Sequence, residues 1–186
     1  MVSDDTSDVG ITLRLRWRSV GMRGTMVDTE QIGDGVVIRP RFDPVARPFE
    51  SLTDDQWHEA WERPVLDTVA ALQQAHREGV RRIVVVVPVT SMSGGSQYVH
   101  VAAPAEAIRV LVKSAARQWG AAGVTVNAVA IAPARVLDDP GAAGPVSIAP
   151  APLDSADPAA VIGFLCSEAA GDITGQTVTV DGGAWM

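Results

Sequence analysis

One uninterrupted apolar run constrains the fold of this chain more than any other feature. Residues 82–89 read RIVVVVPV, and nothing polar follows the opening arginine. A strand with one wet face alternates apolar and polar side chains, whereas a strand inside a parallel sheet is apolar on both faces. The run therefore predicts a central strand of a parallel sheet that is covered on both sides.

Shorter segments on either side predict the rest of a sheet-and-helix fold. Apolar runs predict strands at residues 35–38, 124–131 and 176–180, and strict alternation predicts an edge strand at 11–17. Helical spacing of apolar residues predicts helices over residues 52–79, 101–119 and 159–168. Strands that alternate with helices are typical of a doubly wound parallel α/β sheet in a single domain, here residues 1–186.

Local signals refine these elements. Thr53 begins a typical helix-capping sequence that includes Gln56, and Pro64 predicts a kink inside that helix. Residues 21–35 are rich in glycine and show little periodicity, so no element is predicted there, and residues 39–48 and 133–158 are predicted to be loops.

Composition narrows the possible classes of function. The net charge of −7 argues against a general nucleic-acid binder, and the longest apolar run is too short to cross a bilayer. The polar, acidic start of the chain is unlike a targeting segment, so we expect a cytoplasmic protein. The one cysteine, Cys166, lies in an apolar helical pattern and is predicted to be a core residue. No group of His, Cys and Asp residues has the spacing of a metal site.

Four stretches resemble the classical short-chain dehydrogenase/reductase family, in its 3-oxoacyl reductase type. They are FESLTDDQWHEAWE at residues 49–62, RRIVVVVPVTSMSGG at 81–95, GVTVNAVAIAP at 123–133 and AVIGFLCSEAAGDITGQTVTVDGG at 160–183. The resemblance covers residues 49–186 and implies a Rossmann-like sheet. Residues 1–48 are then a shortened, divergent N-terminal part, and the whole is a truncated Rossmann-like fold.

The family's catalytic groups are a Tyr, a Lys four residues later, a Ser and an Asn. Laid onto this sequence, the Tyr position falls on Val101, the Lys position on Ala105, the Ser position on Pro88 or its neighbour and the Asn position on Pro64. None of these side chains can donate a proton. The sequence contains one tyrosine, Tyr98, and one lysine, Lys113, so a Tyr-x-x-x-Lys pair is impossible in any register. We therefore expect a catalytically degenerate chain with no catalytic residue.

The cofactor site of the family also fails to match. A Gly-rich turn that opens a helix holds the pyrophosphate in such folds. Residues 1–48 offer only Gly21-x-x-Gly24 and Gly33-x-Gly35, with no helical pattern after either, and they are too few for two βαβ units of about 30 residues each. The family's Pro-Gly after the sixth strand is Ile131-Ala132. We expect no cofactor in this chain and NAD(P) in a partner.

The partner is expected to be a full-length short-chain dehydrogenase/reductase. In the family, the fourth and fifth helices and the C-terminal segment form subunit interfaces, and large aromatic residues often anchor interfaces. The interface candidates are Trp57, Trp61, Trp119, Trp185 and Met186.

The leading hypothesis is a non-catalytic subunit that stabilises or regulates an active NAD(P)-dependent reductase in a hetero-oligomer. Two alternatives stay open. One is an independent enzyme with a repurposed site around Tyr98, near His100, Ser91 and Ser93. The other is a protein that binds a small ligand in the empty cleft.

Overall fold

The structure, a computed structural model, describes residues 25–144 and 157–184 and contains one five-stranded sheet. The strands are β1 (Val27–Ile32), β2 (Gly35–Pro40), β3 (Arg82–Pro88), β4 (Thr125–Ile131) and β5 (Thr177–Val180), and they lie side by side in that order. Strands β2 to β5 are parallel. The edge strand predicted at residues 11–17 lies outside the described residues.

The predicted central strand is confirmed. Every residue of β3 after Arg82 is buried, and β3 pairs on one side with β2 and on the other with β4. The fold class predicted from the alternation of strands and helices, a Rossmann-like α/β sheet, is confirmed as well.

One edge of the sheet departs from the expected all-parallel arrangement. Strand β1 runs antiparallel to β2, and the two-residue turn Gly33–Asp34 joins them. Gly33 has a φ of 56°, which glycine adopts without strain, and short hairpin turns require such residues. The prediction of no element over residues 21–35 was wrong because β1 is short and mostly polar, so its hydrophobic period is weak.

The long helix over residues 52–79 is present as three consecutive segments. They are α1 (Asp54–Trp57), a π-helical turn (His58–Glu62) and α2 (Arg63–Arg77). The capping prediction is confirmed, because Thr53 Oγ1 accepts from the Gln56 amide at 3.3 Å and Gln56 Oε1 accepts from the Thr53 amide at 3.0 Å. Pro64 is the second residue of α2 and directly follows the π-helical turn, within one continuous helical run from Asp54 to Arg77. Prolines and π-helical turns both kink helices, and here the two lie together at the place where the kink was predicted.

The remaining helices are α3 (Thr90–Ser93), α4 (Val99–Trp119) and α5 (Ala159–Leu165). Helices α2 and α4 cover one face of the sheet, where Leu72, Ile108 and Val112 pack against buried strand residues. Helix α5 covers the other face with Ile162 and Leu165, together with Cys166, the residue that follows the helix. Cys166 is thus a core residue, as predicted, and its burial raises the pKa of the thiol to about 11.

Candidate functional site at the carboxyl ends of the strands

The carboxyl ends of β2, β3 and β4 meet at one edge of the sheet and border a cavity of about 330 Å³. In open α/β sheets this edge is where ligands bind, because loops diverge there and leave a crevice. Pro40, Pro88 and Ile131, the last residues of these three strands, all line the cavity. It is therefore the first place to look for a functional site.

Charged residues concentrate around this cavity. Three arginines, Arg39, Arg41 and Arg135, line it together with one carboxylate, Asp28. Asp28 Oδ2 accepts from Arg41 Nε at 2.9 Å, and Asp28 Oδ1 contacts Arg41 Nη2. The hydrogen bond from Arg41 lowers the pKa of Asp28, so this carboxylate is ionised at neutral pH.

Arg39 is the least hydrated of the three arginines. It projects from β2 and is half-buried, and this desolvation lowers the pKa of its guanidinium to about 10, against the opposing attraction of Asp28 and Glu30. Arg39 therefore still carries a full positive charge at neutral pH, in surroundings that hydrate it poorly.

Sequence reasoning missed this arginine cluster. Residues 39–48 were interpreted only as a loop, and Arg135 was not singled out. A signal was nevertheless present, because Arg39 and Arg41 come at the end of one apolar strand and Arg135 soon follows the end of another. Side chains that follow parallel strands converge at the same edge of a sheet.

The four positions that the family resemblance assigns to catalysis do not meet at this cavity. Only Pro88 lines it. Val101 and Ala105 lie one turn apart on α4 and are completely buried, with Val101 packed against Tyr98 and Leu137. Pro64 is buried in α2, and its carbonyl accepts a hydrogen bond from Thr68 Oγ1.

Tyr98, the centre of the repurposed-site hypothesis, is 0% exposed. Its hydroxyl donates to the Asp139 carbonyl at 3.1 Å and receives the Asp139 amide at 3.2 Å. His100 is buried too, and desolvation lowers its pKa. The backbone of Asp43 and Val45 lies near its ring nitrogens, outside good hydrogen-bonding geometry. Ser91 is buried, whereas Ser93 is exposed and bonds to the Gly94 carbonyl. These four residues therefore do not form an open reactive group.

Gly33 and Gly35 serve the hairpin. They lie at the amino end of β2, whereas the cavity lies at its carboxyl end. No helix follows β1. A Cβ atom on Gly35 would lie 2.7 Å from Cys166 Cβ, so this glycine allows the α5 segment to approach β2. A dinucleotide site needs a strand, a Gly-rich turn and a helix in succession. Gly21 and Gly24 lie outside the described residues.

The aromatic candidates form two ring pairs. Trp57 and Trp61 stack with centroids 5.6 Å apart, and Trp119 stacks on His76 at 4.4 Å. All three tryptophans are partly exposed. Trp185 and Met186 lie outside the described residues. Within the ranges 25–144 and 157–184, no group of side chains could hold a metal ion and no helix is long and apolar enough to cross a membrane.

The C-terminal motif has a structural role. Asn127, buried in β4, donates from Nδ2 to the Ile173 carbonyl at 2.8 Å and accepts the Gln176 amide on Oδ1 at 3.0 Å. The Val126 amide donates to Thr174 Oγ1. Asp181 Oδ1 accepts the Gly183 amide and closes the turn after β5. The motif thus fixes the last strand to the centre of the sheet.

Comparisons with known proteins agree with this architecture. Residues 34–184 match the family model described as enoyl-(acyl carrier protein) reductase. The 3-oxoacyl-(acyl-carrier-protein) reductase FabG of Salmonella typhimurium is 28% identical over 146 residues, which cover 73% of this chain and 60% of that protein. The chain therefore spans less than two thirds of the length of this relative.

Solved structures of similar fold include two dehydrogenases. Acetoin dehydrogenase YohF of Salmonella typhimurium aligns with a TM-score of 0.63 and 24% identity, over 81% of this chain and 64% of that one. A short-chain dehydrogenase/reductase described as glucose/ribitol dehydrogenase, from Brucella melitensis, aligns with a TM-score of 0.60 and 25% identity, over 82% and 64%. Because the family model spans most of the sequence, from the β1–β2 turn to the end of the described residues, this chain belongs to the short-chain dehydrogenase/reductase family.

Proposed function

We propose that this chain is a non-catalytic subunit that assembles with a full-length, active NAD(P)-dependent short-chain reductase and stabilises or regulates it. The observation that carries the non-catalytic part is the state of Tyr98. The sequence contains no other tyrosine, and the hydroxyl of Tyr98 is buried and bonded to Asp139. A phenol that acts as acid and base must reach the substrate, which Tyr98 does not.

The antiparallel pairing of β1 with β2 supports the proposal that NAD(P) binds the partner and not this chain. An antiparallel hairpin strand occupies the place beside β2, and it turns directly into β2 without a helix. The positive end of a helix that would face a pyrophosphate is therefore missing beside β2 in the described sheet.

The outer surfaces of the long helices support the proposal of a partner. The resemblance assigns these helices to the family's subunit interface, and each bears an exposed apolar residue. Leu66 on α2 is 61% exposed and Val110 on α4 is 49% exposed. Earlier in the same helix as Leu66, the partly exposed Trp57–Trp61 pair adds aromatic surface. Apolar helix surface of this kind is stabilised when a second subunit covers it.

The similarity to a 3-oxoacyl-(acyl-carrier-protein) reductase suggests the partner's chemistry. We expect the partner to interconvert a carbonyl and an alcohol on an acyl or polyketide-like chain, in the cytoplasm. A full-length short-chain reductase encoded next to this chain is the first partner to test.

The test is co-expression of the two chains, followed by size-exclusion chromatography with light scattering. A mixed oligomer is expected. Leu66→Glu and Val110→Glu should each weaken it by about tenfold or more, because each places a charge in an apolar contact. Val45→Glu is the matched control, since Val45 is 44% exposed in the loop after β2, outside the helices that the resemblance assigns to an interface. Assembly that resists both helix variants, or that Val45→Glu disrupts equally, would refute the proposed interface.

A further inference from the structure

The cavity at the carboxyl ends of β2 to β4 combines two kinds of lining that favour one class of ligand. The charged lining residues are three arginines, Arg39, Arg41 and Arg135, and one aspartate, Asp28. The lining is therefore positive, although the whole chain carries −7. Glu30 attracts Arg39 but does not line the cavity. The net charge of the lining residues remains positive when Glu30 is included.

The rest of the wall is apolar. It consists of Pro40, Phe42, Val86, Val87, Pro88, Ile131 and Val136. Small-molecule sites are mostly apolar with a few polar groups that fix the ligand's orientation, and their volumes run from roughly 300 to 1,000 Å³. At about 330 Å³ this cavity lies at the lower end of that range.

We propose that this cavity binds a small amphipathic anion, with a carboxylate or phosphate group held by the arginines and a short apolar body against Val86, Pro88 and Ile131. This binding site is separate from the proposed subunit role and does not depend on it. Guanidinium groups match both head groups, because their N–H donors fit two oxygens at once.

The ion pair between Asp28 and Arg41 does not use every hydrogen-bond donor of Arg41. Asp28 contacts Arg41 through Nε and Nη2 only, so Nη1 takes no part in the pair. Arg41 can then hold Asp28 and an anion together, since a guanidinium has five donors. Arg39 is half-buried, so water would screen the attraction between its guanidinium and an anion less than at an open surface.

The experiment is isothermal titration calorimetry on the full chain with hexyl phosphate and hexanoate. Saturable binding of at least one of them, with a dissociation constant of about 1 mM or lower, is expected. Whichever binds more tightly identifies the preferred head group. Hexanol, which lacks the charge, and inorganic phosphate, which lacks the apolar body, should each bind at least about tenfold more weakly. Equal binding of hexanol, or no saturable binding of either anion, would overturn the proposal.

Variants locate the site. Arg39→Gln and Arg135→Gln should each weaken binding by about tenfold or more, as expected for one charge-assisted contact. Asp28→Asn should tighten it by roughly threefold or more, because it removes a like charge beside the ligand. Arg117→Gln is the matched control, since Arg117 is exposed in the last turn of α4. Because Asp28→Asn acts in the opposite direction, misfolding cannot imitate the full pattern. Unchanged affinity in all three lining variants would refute the site.

Discussion

The hydroxyl of Tyr98 bonds to both backbone groups of Asp139, donating to the carbonyl and accepting from the amide. These two hydrogen bonds connect the start of α4 to the loop that follows β4. Tyr98 therefore has a structural role. Tyr98→Phe should lower the free energy of unfolding by about 1–2 kcal/mol, because the Asp139 groups lose their partner. Urea denaturation measures this change.

The same variant tests the repurposed-site hypothesis. In the assembled complex, reductase turnover with Tyr98→Phe should stay within about threefold of wild type, roughly 0.7 kcal/mol of barrier. A loss of a hundredfold or more would show that Tyr98 takes part in the chemistry after all.

Gly35→Ala should destabilise the chain by about 1–3 kcal/mol, because the new Cβ would lie 2.7 Å from Cys166 Cβ and 2.9 Å from the Arg82 carbonyl oxygen. Gly163→Ala is the matched control. No atom lies within 4 Å of a Cβ built there, and Gly163 lies in helix α5, so this variant should be neutral or slightly stabilising. Thermal unfolding of both variants measures the difference. Equal midpoints would contradict the close approach of β2 and α5.

Asn127→Ala should lower the free energy of unfolding by about 3 kcal/mol, because it leaves the Ile173 carbonyl and the Gln176 amide without their partner. Gln176→Ala serves as its control. The Gln176 backbone supplies the hydrogen bond, so loss of that exposed side chain should change stability by less than about 0.5 kcal/mol. Urea denaturation is again the measurement, and a small effect of Asn127→Ala would show that β5 is held by other contacts.

Stability should fall as the pH drops below about 6.5, the usual pKa of histidine. Burial lowers the pKa of His100 in the folded state, against the attraction of Asp43, so the unfolded chain binds more protons in this window. The loss continues until the pH passes the lowered, folded-state pKa. His100→Gln should flatten this dependence, because it removes the buried group whose pKa is lowered. Denaturation midpoints between pH 7 and pH 5 test this, and an unchanged slope in His100→Gln would contradict it.

Sequence reasoning succeeded where one physical signal dominates a segment. Strand β3 is apolar throughout, and Thr53 with Gln56 forms a capping box that depends on neighbouring residues alone. It failed at β1, whose polar residues conceal the strand period, and it did not foresee the π-helical turn before Pro64.

The candidate site was harder to foresee for a different reason. The family resemblance assigned Val101, Ala105 and Pro88 to the family's catalytic positions. That assignment showed which catalytic side chains this chain lacks, and it did not point to another site. The arginine cluster joins Arg39 and Arg41 with Arg135, which are far apart in sequence, and only the parallel register of β2, β3 and β4 brings them together. Such a cluster can be found in the sequence only by comparing the residues that follow the ends of separate strands.

The β1–β2 hairpin also bears on how the chain folds. Wherever a parallel strand lies at a sheet edge, its pairing must wait for a crossover of many residues to close. Here β1 and β2 are joined by Gly33 and Asp34 alone, so this edge can form on the hairpin timescale of about 1–10 μs. Strands β3, β4 and β5 each pair in parallel across a long crossover, so closing those crossovers would remain the slow part of folding after the hairpin has formed.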